Sequence, residues 1–172
     1  KFGVGLKDAL GVFYRNHIGV TIHSKYSTIS LTMAEKAGFD IQTLHAVFFE
    51  PKYPTMVGTD VVLTGVKQAD LQKAKSMFLV FNSDLELLEK TNYGEVYTNK
   101  GDGKSFIYAN GVQIASEDNF LFSYNITSMN AQMKKALNRE RSNLGRTAYS
   151  ETIKNILKNC VSTKVMRPLV AD

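Results

Sequence analysis

Behind residue 17 the hydrophobic pattern changes its period, and that change limits the folds open to the chain. Between residues 5 and 17, Leu6, Ala9, Leu10, Phe13, Tyr14 and His17 recur at steps of three and four, while Lys7, Asp8 and Arg15 face elsewhere. That spacing predicts an amphipathic helix with His17 at its buried edge. From residue 20 the step is two. VTIHSKY (20–26) and TISLTMA (28–34) alternate apolar and polar residues, as antiparallel strands covered on one face do. LHAVFFE (44–50) and TDVVLTGV (59–66) read as two further strands, and PKYPTMVG between them carries two of the chain's three prolines and reads as a loop.

The remainder repeats the mixture. QADLQKAKSMFLVF (68–81) has helical spacing, and SDLELLEKT (83–91) reads as a shorter helix. GEVYTN (94–99), SFIYANGVQIA (105–115) and NFLFSYNIT (119–127) read as strands, with KGDGK (100–104) as a hairpin tip between the first two. MNAQMKKALNRERS (129–142) and TAYSETIKNILKN (147–159) read as helices, and STKVMRPLVAD as a frayed end. The pattern predicts an α/β chain with a boundary near residue 82. At 172 residues with 44% hydrophobic and 22% charged side chains, the chain can bury one good core or two small ones. No apolar run reaches 18 residues and Lys7, Asp8, Arg15 and Asn16 interrupt the first one, so neither a membrane-spanning helix nor a signal peptide is expected. A single cysteine, Cys160, makes no internal disulfide, which fits an intracellular setting, cytoplasmic or nuclear. The net charge of +5 favours an anionic partner. His17, His23 and His45 lack metal-ligand spacing, and no serine stands in a Gly-X-Ser-X-Gly context.

KFGVGLKDAL, at the head of the first helix, places Gly3 and Gly5 where backbone amides are unpaired and the helix dipole is positive. Glycine lets an anion approach such amides with no Cβ in the way. No Gly-Lys-Ser/Thr follows, so this is not a P-loop, and no strand precedes it, as a dinucleotide fingerprint requires. FGVGLKDAL (2–10) resembles the second glycine box of the GHKL ATPases, the superfamily of gyrase B subunits, MutL proteins, large heat-shock chaperones, histidine kinases and MORC proteins. Gly58 and Thr59, opening a strand about fifty residues on, resemble the family's Gly-Thr pair.

The resemblance implies a fold, a ligand and roles. The fold would be part of a Bergerat-type ATP-binding domain: a two-layer sandwich of mostly antiparallel sheet with helices on one face, over residues 1–82. A transducer-like α/β segment with a helical C-terminus would follow at 83–172. ATP phosphates would meet the backbone around Gly3, Val4, Gly5 and Leu6, with Lys7 adding charge and Thr59 on the adenine side. Magnesium would be held by residues outside this chain, because the family's Glu and Asn helix and its Asp-X-Gly-X-Gly segment are upstream features that do not occur here. The chain is therefore expected to be a fragment of a larger ATPase that dimerises and is inactive by itself. SFIYANGVQIA resembles a Val-Asn-Gly transducer strand of MutL, where a lysine reaches the γ-phosphate and Lys100 and Lys104 would be the candidates; the competing reading, favoured for the lysines, is an ordinary Asn-Gly turn and a solvated hairpin.

Two readings compete. Arg139, Arg141 and Arg146, with Lys134 and Lys135, form a basic cluster at 134–146 that could contact nucleic acid in a non-enzymatic domain. Glu140 among them and the lack of interleaved aromatics favour internal pairing. The other reading is a structural module in which FGVG only starts a helix.

Overall fold

The computed structural model describes residues 4–99, 103–139 and 144–171. The chain is mixed α/β, with two mostly antiparallel sheets and five helices among the described residues. It divides into two compact units, Lys1–Leu71 and Gln72–Asp172, so residues 72–82, expected with the first half, group with the second.

In the first unit α1 (Val4–Arg15) leads into β1 (Gly19–Ser24), β2 (Thr28–Glu35), β3 (Gln42–Phe49) and β4 (Thr59–Thr64), followed by the start of α2 (Gln68–Ser76). The four strands form one antiparallel sheet in the order β3-β2-β1-β4. Its register puts Ile22, Ile29, Phe48 and Val61 in one cross-strand row and Val20 beside Leu63. One face is thus apolar, as the period of two requires. The opposite face carries His23, buried beneath the loop that follows β3. There its ring meets Tyr53 edge-on at 5.2 Å and its Nδ1 lies 3.2 Å from Thr28 Oγ1. His17, expected at a buried helix edge, is exposed in the left-handed region with φ of 57°; it ends α1 by turning the chain into β1 rather than packing.

The second unit holds β5 (Leu87–Lys90), β6 (Gly94–Tyr97), β7 (Ser105–Ala109), β8 (Val112–Glu117), β9 (Ser123–Ile126), α3 (Ala131–Arg139), α4 (Ser150–Lys158) and α5 (Thr163–Ala171). Its sheet runs β5-β6-β9-β7-β8, antiparallel except for β7 against β9. Val96, Ile107, Tyr124 and Ile126 pack with Met133, Tyr149, Ile156 and Val165 from the helical segments into the main core.

Several expectations fail here for physical reasons. Residues 83–91 are not a helix: Leu87–Lys90 pairs with β6, and strand pairing overrides the helical preference of LELLEK. The KGDGK segment is no hairpin tip, because β9 lies between β6 and β7; residues 100–102 of it are outside the described residues. SFIYANGVQIA is two strands joined by Asn110 and Gly111, both with positive φ, the two-residue turn that Asn-Gly favours. The helix expected over 68–81 stops at Ser76, followed by a single 3-10 turn at Leu79–Phe81. The segment through Ala171, expected to be frayed, is helical from Thr163. Glu89 accepts hydrogen bonds from the Val161 and Ser162 amides at 2.8 and 3.0 Å, and fully buried Val165 anchors α5 despite Pro168 inside it.

Candidate functional site

The first turn of α1 carries Gly5, Leu6 and Lys7, with both Leu6 and Lys7 exposed. Leu6, Lys7, Leu10 and Gly11 form one wall of an open cavity of about 730 Å³. Leu31 of β2, Thr43 to Ala46 of β3, and Lys36 form the other. The walls are mainly apolar, and Lys7 and Lys36 supply two cations. The Lys36 ammonium lies 4.5 Å from the centre of the Phe39 ring, and His45 Nε2 is 2.9 Å from Thr43 Oγ1. Chemically this cleft suits an anion with an apolar or aromatic body.

Thr59 does not line that cavity. It opens β4, the edge strand farthest from β3, opposite Ser24 and behind Gly58, whose φ is 98°. The fold therefore groups Leu6 and Lys7 around one cavity and leaves Thr59 on the other edge of the sheet. Gly3, Arg141 and Lys100 lie outside the described residues, and Val4 and Arg139 are described only as backbone in α1 and α3. Lys104 stands just before β7. In the basic cluster, Lys134 and Lys135 are exposed on α3, directly after fully buried Met133. Arg146 is engaged inside the second unit: its guanidinium lies 4.5 Å over the Phe120 ring, and its Nε is 3.9 Å from Glu117 Oε1. The same Glu117 oxygen accepts a hydrogen bond from the Tyr149 hydroxyl. Burial, then that bond, pushes the Tyr149 phenol well above its ordinary range.

A second polar set sits on the sheet of the second unit. Glu95 Oε2 accepts from the Tyr97 hydroxyl at 2.8 Å and from Asn125 Nδ2 at 2.9 Å, and Lys90 Nζ lies 2.8 Å from Oε1. Burial alone would raise the Glu95 carboxyl, but these donors outweigh it and hold it below the usual carboxylate range. Each of these four side chains is bonded within the fold, so the set braces β5, β6 and β9 rather than offering a reactive group. Cys160 is buried and its thiol is pushed up to about 11, first by burial and then by Glu89, which leaves it a poor nucleophile. Among the described residues no group of His, Cys, Asp and Glu could hold a metal ion, and no helix is long and apolar enough to cross a membrane. The β3 wall of the large cavity and the Glu117–Tyr149–Arg146 set escape a reading by motif, because each joins residues far apart in sequence.

Residues 69–163 match the family model of the Mycoplasma pneumoniae MPN635 N-terminal domain. Two Mycoplasma pneumoniae proteins, each described as an uncharacterized protein, are similar to the chain. One is 34% identical over 164 residues, covering 94% of this chain and 65% of the relative. The other is 39% identical over 107 residues, covering 62% of this chain and 30% of the relative. The chain thus spans less than two thirds of either relative's length. No solved structure matches.

Proposed function

The chain belongs to the Mycoplasma pneumoniae MPN635 N-terminal-domain family through residues 69–163; for the first unit, which lies almost wholly outside that match, we propose, from the sequence resemblance, part of a GHKL-type ATP-binding domain. The observation that carries this reading is the order of parts in unit one. Gly5 stands in the first turn of α1, α1 feeds an antiparallel sheet, and the sheet ends in a strand headed by Gly58 and Thr59. Backbone amides in the first turn of α1 and the ammonium of Lys7 receive phosphate, and the cavity behind them accepts apolar parts of the ligand.

The open apolar face of the sheet supports the finer fold, a Bergerat-type two-layer sandwich whose second layer α1 only begins. Phe48 and Val61 on that face are 67% and 52% exposed. Thr59 would come beside the ligand only after that layer is complete. The described residues do not fit magnesium, since no cluster of carboxylates stands near Lys7. Magnesium and the water-activating glutamate belong, on this reading, to residues beyond these 172, and ATP turnover with dimerisation belongs to the longer protein. In that protein the second unit would relay the nucleotide state.

Two measurements test the reading. The coding sequence ahead of Lys1 is expected to hold a helix with Glu and Asn, then Asp-X-Gly-X-Gly, within one domain's length of roughly 100–150 residues. In the protein carrying that segment, Gly5→Val should weaken ATP binding at least about tenfold, near 1.4 kcal/mol, with an unchanged circular-dichroism spectrum. Equal ATP affinity of the variant and the parent would refute the phosphate-loop assignment.

A further inference from the structure

The second unit contains a separate cavity of about 270 Å³ between α4 and the segment before β9. Ser150, Ile153, Lys154 and Leu157 line it from α4, at successive i, i+3, i+4 and i+7 positions, so one stripe of the helix faces it. Phe120 closes the apolar side, with Ile153 buried and Leu157 half-buried. Two cations stand at the rim, Arg146 and Lys154, and no carboxylate lines the cavity.

Arg146 is held in place for such a role. Its guanidinium lies over Phe120 at 4.5 Å, and its carbonyl accepts the Ser150 hydroxyl at 2.6 Å, which ties the turn before α4 to the helix. A guanidinium stacked on an aromatic ring keeps its in-plane donors aimed outward and has little rotamer freedom left to lose on binding. Its ion pair with Glu117 is made through Nε at 3.9 Å, the long end of the range, and Glu117 is already committed to Tyr149. The Lys154 pair with Glu151 spans 3.8 Å between two well-exposed side chains, an arrangement that holds the ammonium only weakly.

From this geometry we infer that the cavity is a binding site for a small amphipathic anion, a ring or short aliphatic chain bearing one carboxylate or phosphate. The size argues for that class. Sites for drug-sized ligands and cofactors occupy about 300–1,000 Å³, so this cavity falls just short of a whole nucleotide. The apolar body sits against Ile153, Leu157 and Phe120, and the anionic group lies between Arg146 and Lys154. The site is independent of the ATP reading, since every residue in it belongs to the second unit.

The experiment is a titration of the ¹⁵N-labelled 172-residue chain with phenyl phosphate and, separately, hexanoate, followed by amide chemical shifts. Saturable shifts are expected at Ser150, Lys154 and Leu157. Inorganic phosphate and benzyl alcohol, each carrying half of the chemistry, should bind at least about tenfold more weakly. Lys154→Gln and the double variant Arg146→Gln/Lys154→Gln should weaken phenyl phosphate binding stepwise while leaving the shifts of β6 and β9 in place. The inference is overturned if neither organic anion gives saturable shifts there. It is equally overturned if inorganic phosphate matches phenyl phosphate, which would indicate only surface cations. Unchanged affinity in the folded double variant also overturns it.

Discussion

Gly94 is the position at which a single methyl group should report whether α4 is seated on the second sheet as described. It opens β6 opposite Ile126, and a Cβ built there meets the backbone oxygen of Asn125 on β9 and comes within 2.7 Å of Ile156 Cδ1. Ile156 is fully buried, so it has nowhere to retreat. Overpacking of a well-packed core costs about 1–3 kcal/mol. Moving the Asn125 carbonyl also weakens part of the β6–β9 ladder, where each hydrogen bond contributes about 0.5–1.5 kcal/mol net. Gly94→Ala should therefore destabilise the second unit by about 2–4 kcal/mol. For a unit of this size each kcal/mol lowers the melting temperature by about 4–8 °C, which predicts a drop of about 8–32 °C. Thermal and urea unfolding followed by near-ultraviolet circular dichroism measures it. A second variant separates the two contacts. Ile156→Val removes Cδ1 and by itself should cost about 0.5–1.5 kcal/mol. In the Gly94→Ala background it should cost at least about 0.5 kcal/mol less, because the clash is relieved in part. A melting temperature within about 3 °C of the parent, or strict additivity of the two substitutions, would refute the packing of α4 on β6.

The Cys160 thiol, raised to about 11 by burial and by Glu89, should react with a disulfide reagent near pH 8 only after unfolding by urea; comparable native and unfolded rates would contradict its burial. Because that pKa is raised, the group stabilises the fold fully below the ordinary thiol range of about 8.5, and the contribution fades as pH climbs toward about 11, which alkaline urea midpoints of Cys160→Ala against the parent would show. Glu95 has the opposite sign: its lowered pKa gives stability above the ordinary carboxylate value of about 4.3 that is lost as pH falls through the folded value. The stability gap between the parent and Glu95→Gln should then stay flat at neutral pH and close in acid, and a gap unchanged down to about pH 3 would dismiss the role assigned to the carboxylate.

Where one short-range rule decides, the sequence was legible. The period of three to four marked α1, and the period of two marked β1 to β4 within a residue or two of their ends. Legibility failed where a distant partner decides. LELLEK has helical composition and becomes β5 because β6 offers it a ladder. KGDGK looks like a hairpin tip, yet β9, more than twenty residues further on, takes the place beside β6. STKVMRPLVAD reads as a frayed end, but Glu89, some seventy residues earlier, accepts from the two amides just ahead of α5. The candidate site divides in the same way. The glycine pair and Lys7 announce themselves through the chemistry of a helix start. Thr43 to Ala46 and Lys36 carry no motif, and only the β2–β3 hairpin brings them opposite α1.

The two units differ most in what they bury. Among the described residues, Val20 is the one buried hydrophobic side chain of the first unit, whereas the second has a continuous core from Val96 to Val165. The reason is geometric. A helix of 12 residues is about 18 Å long and about 10 Å wide, while a sheet of four strands is about 14 Å between its outer strand axes, with strands about 20–26 Å long. One helix covers roughly half of such a face. The alternating Ile, Leu, Val and Phe residues of β1 to β4 are those of a sheet packed all along one side, and a face of this kind left in water forfeits about 25 cal/mol for each Å² of apolar surface. The strand pattern and the half-covered sheet leave Phe48, Val61 and Leu63 exposed beside α1, and on the proposed reading a further layer packs there. The 34%-identical relative extends beyond its match by about a third of its length. On the proposed reading that layer also brings the adenine and magnesium ligands, so the residues that complete the fold of the first unit are the ones that complete its chemistry.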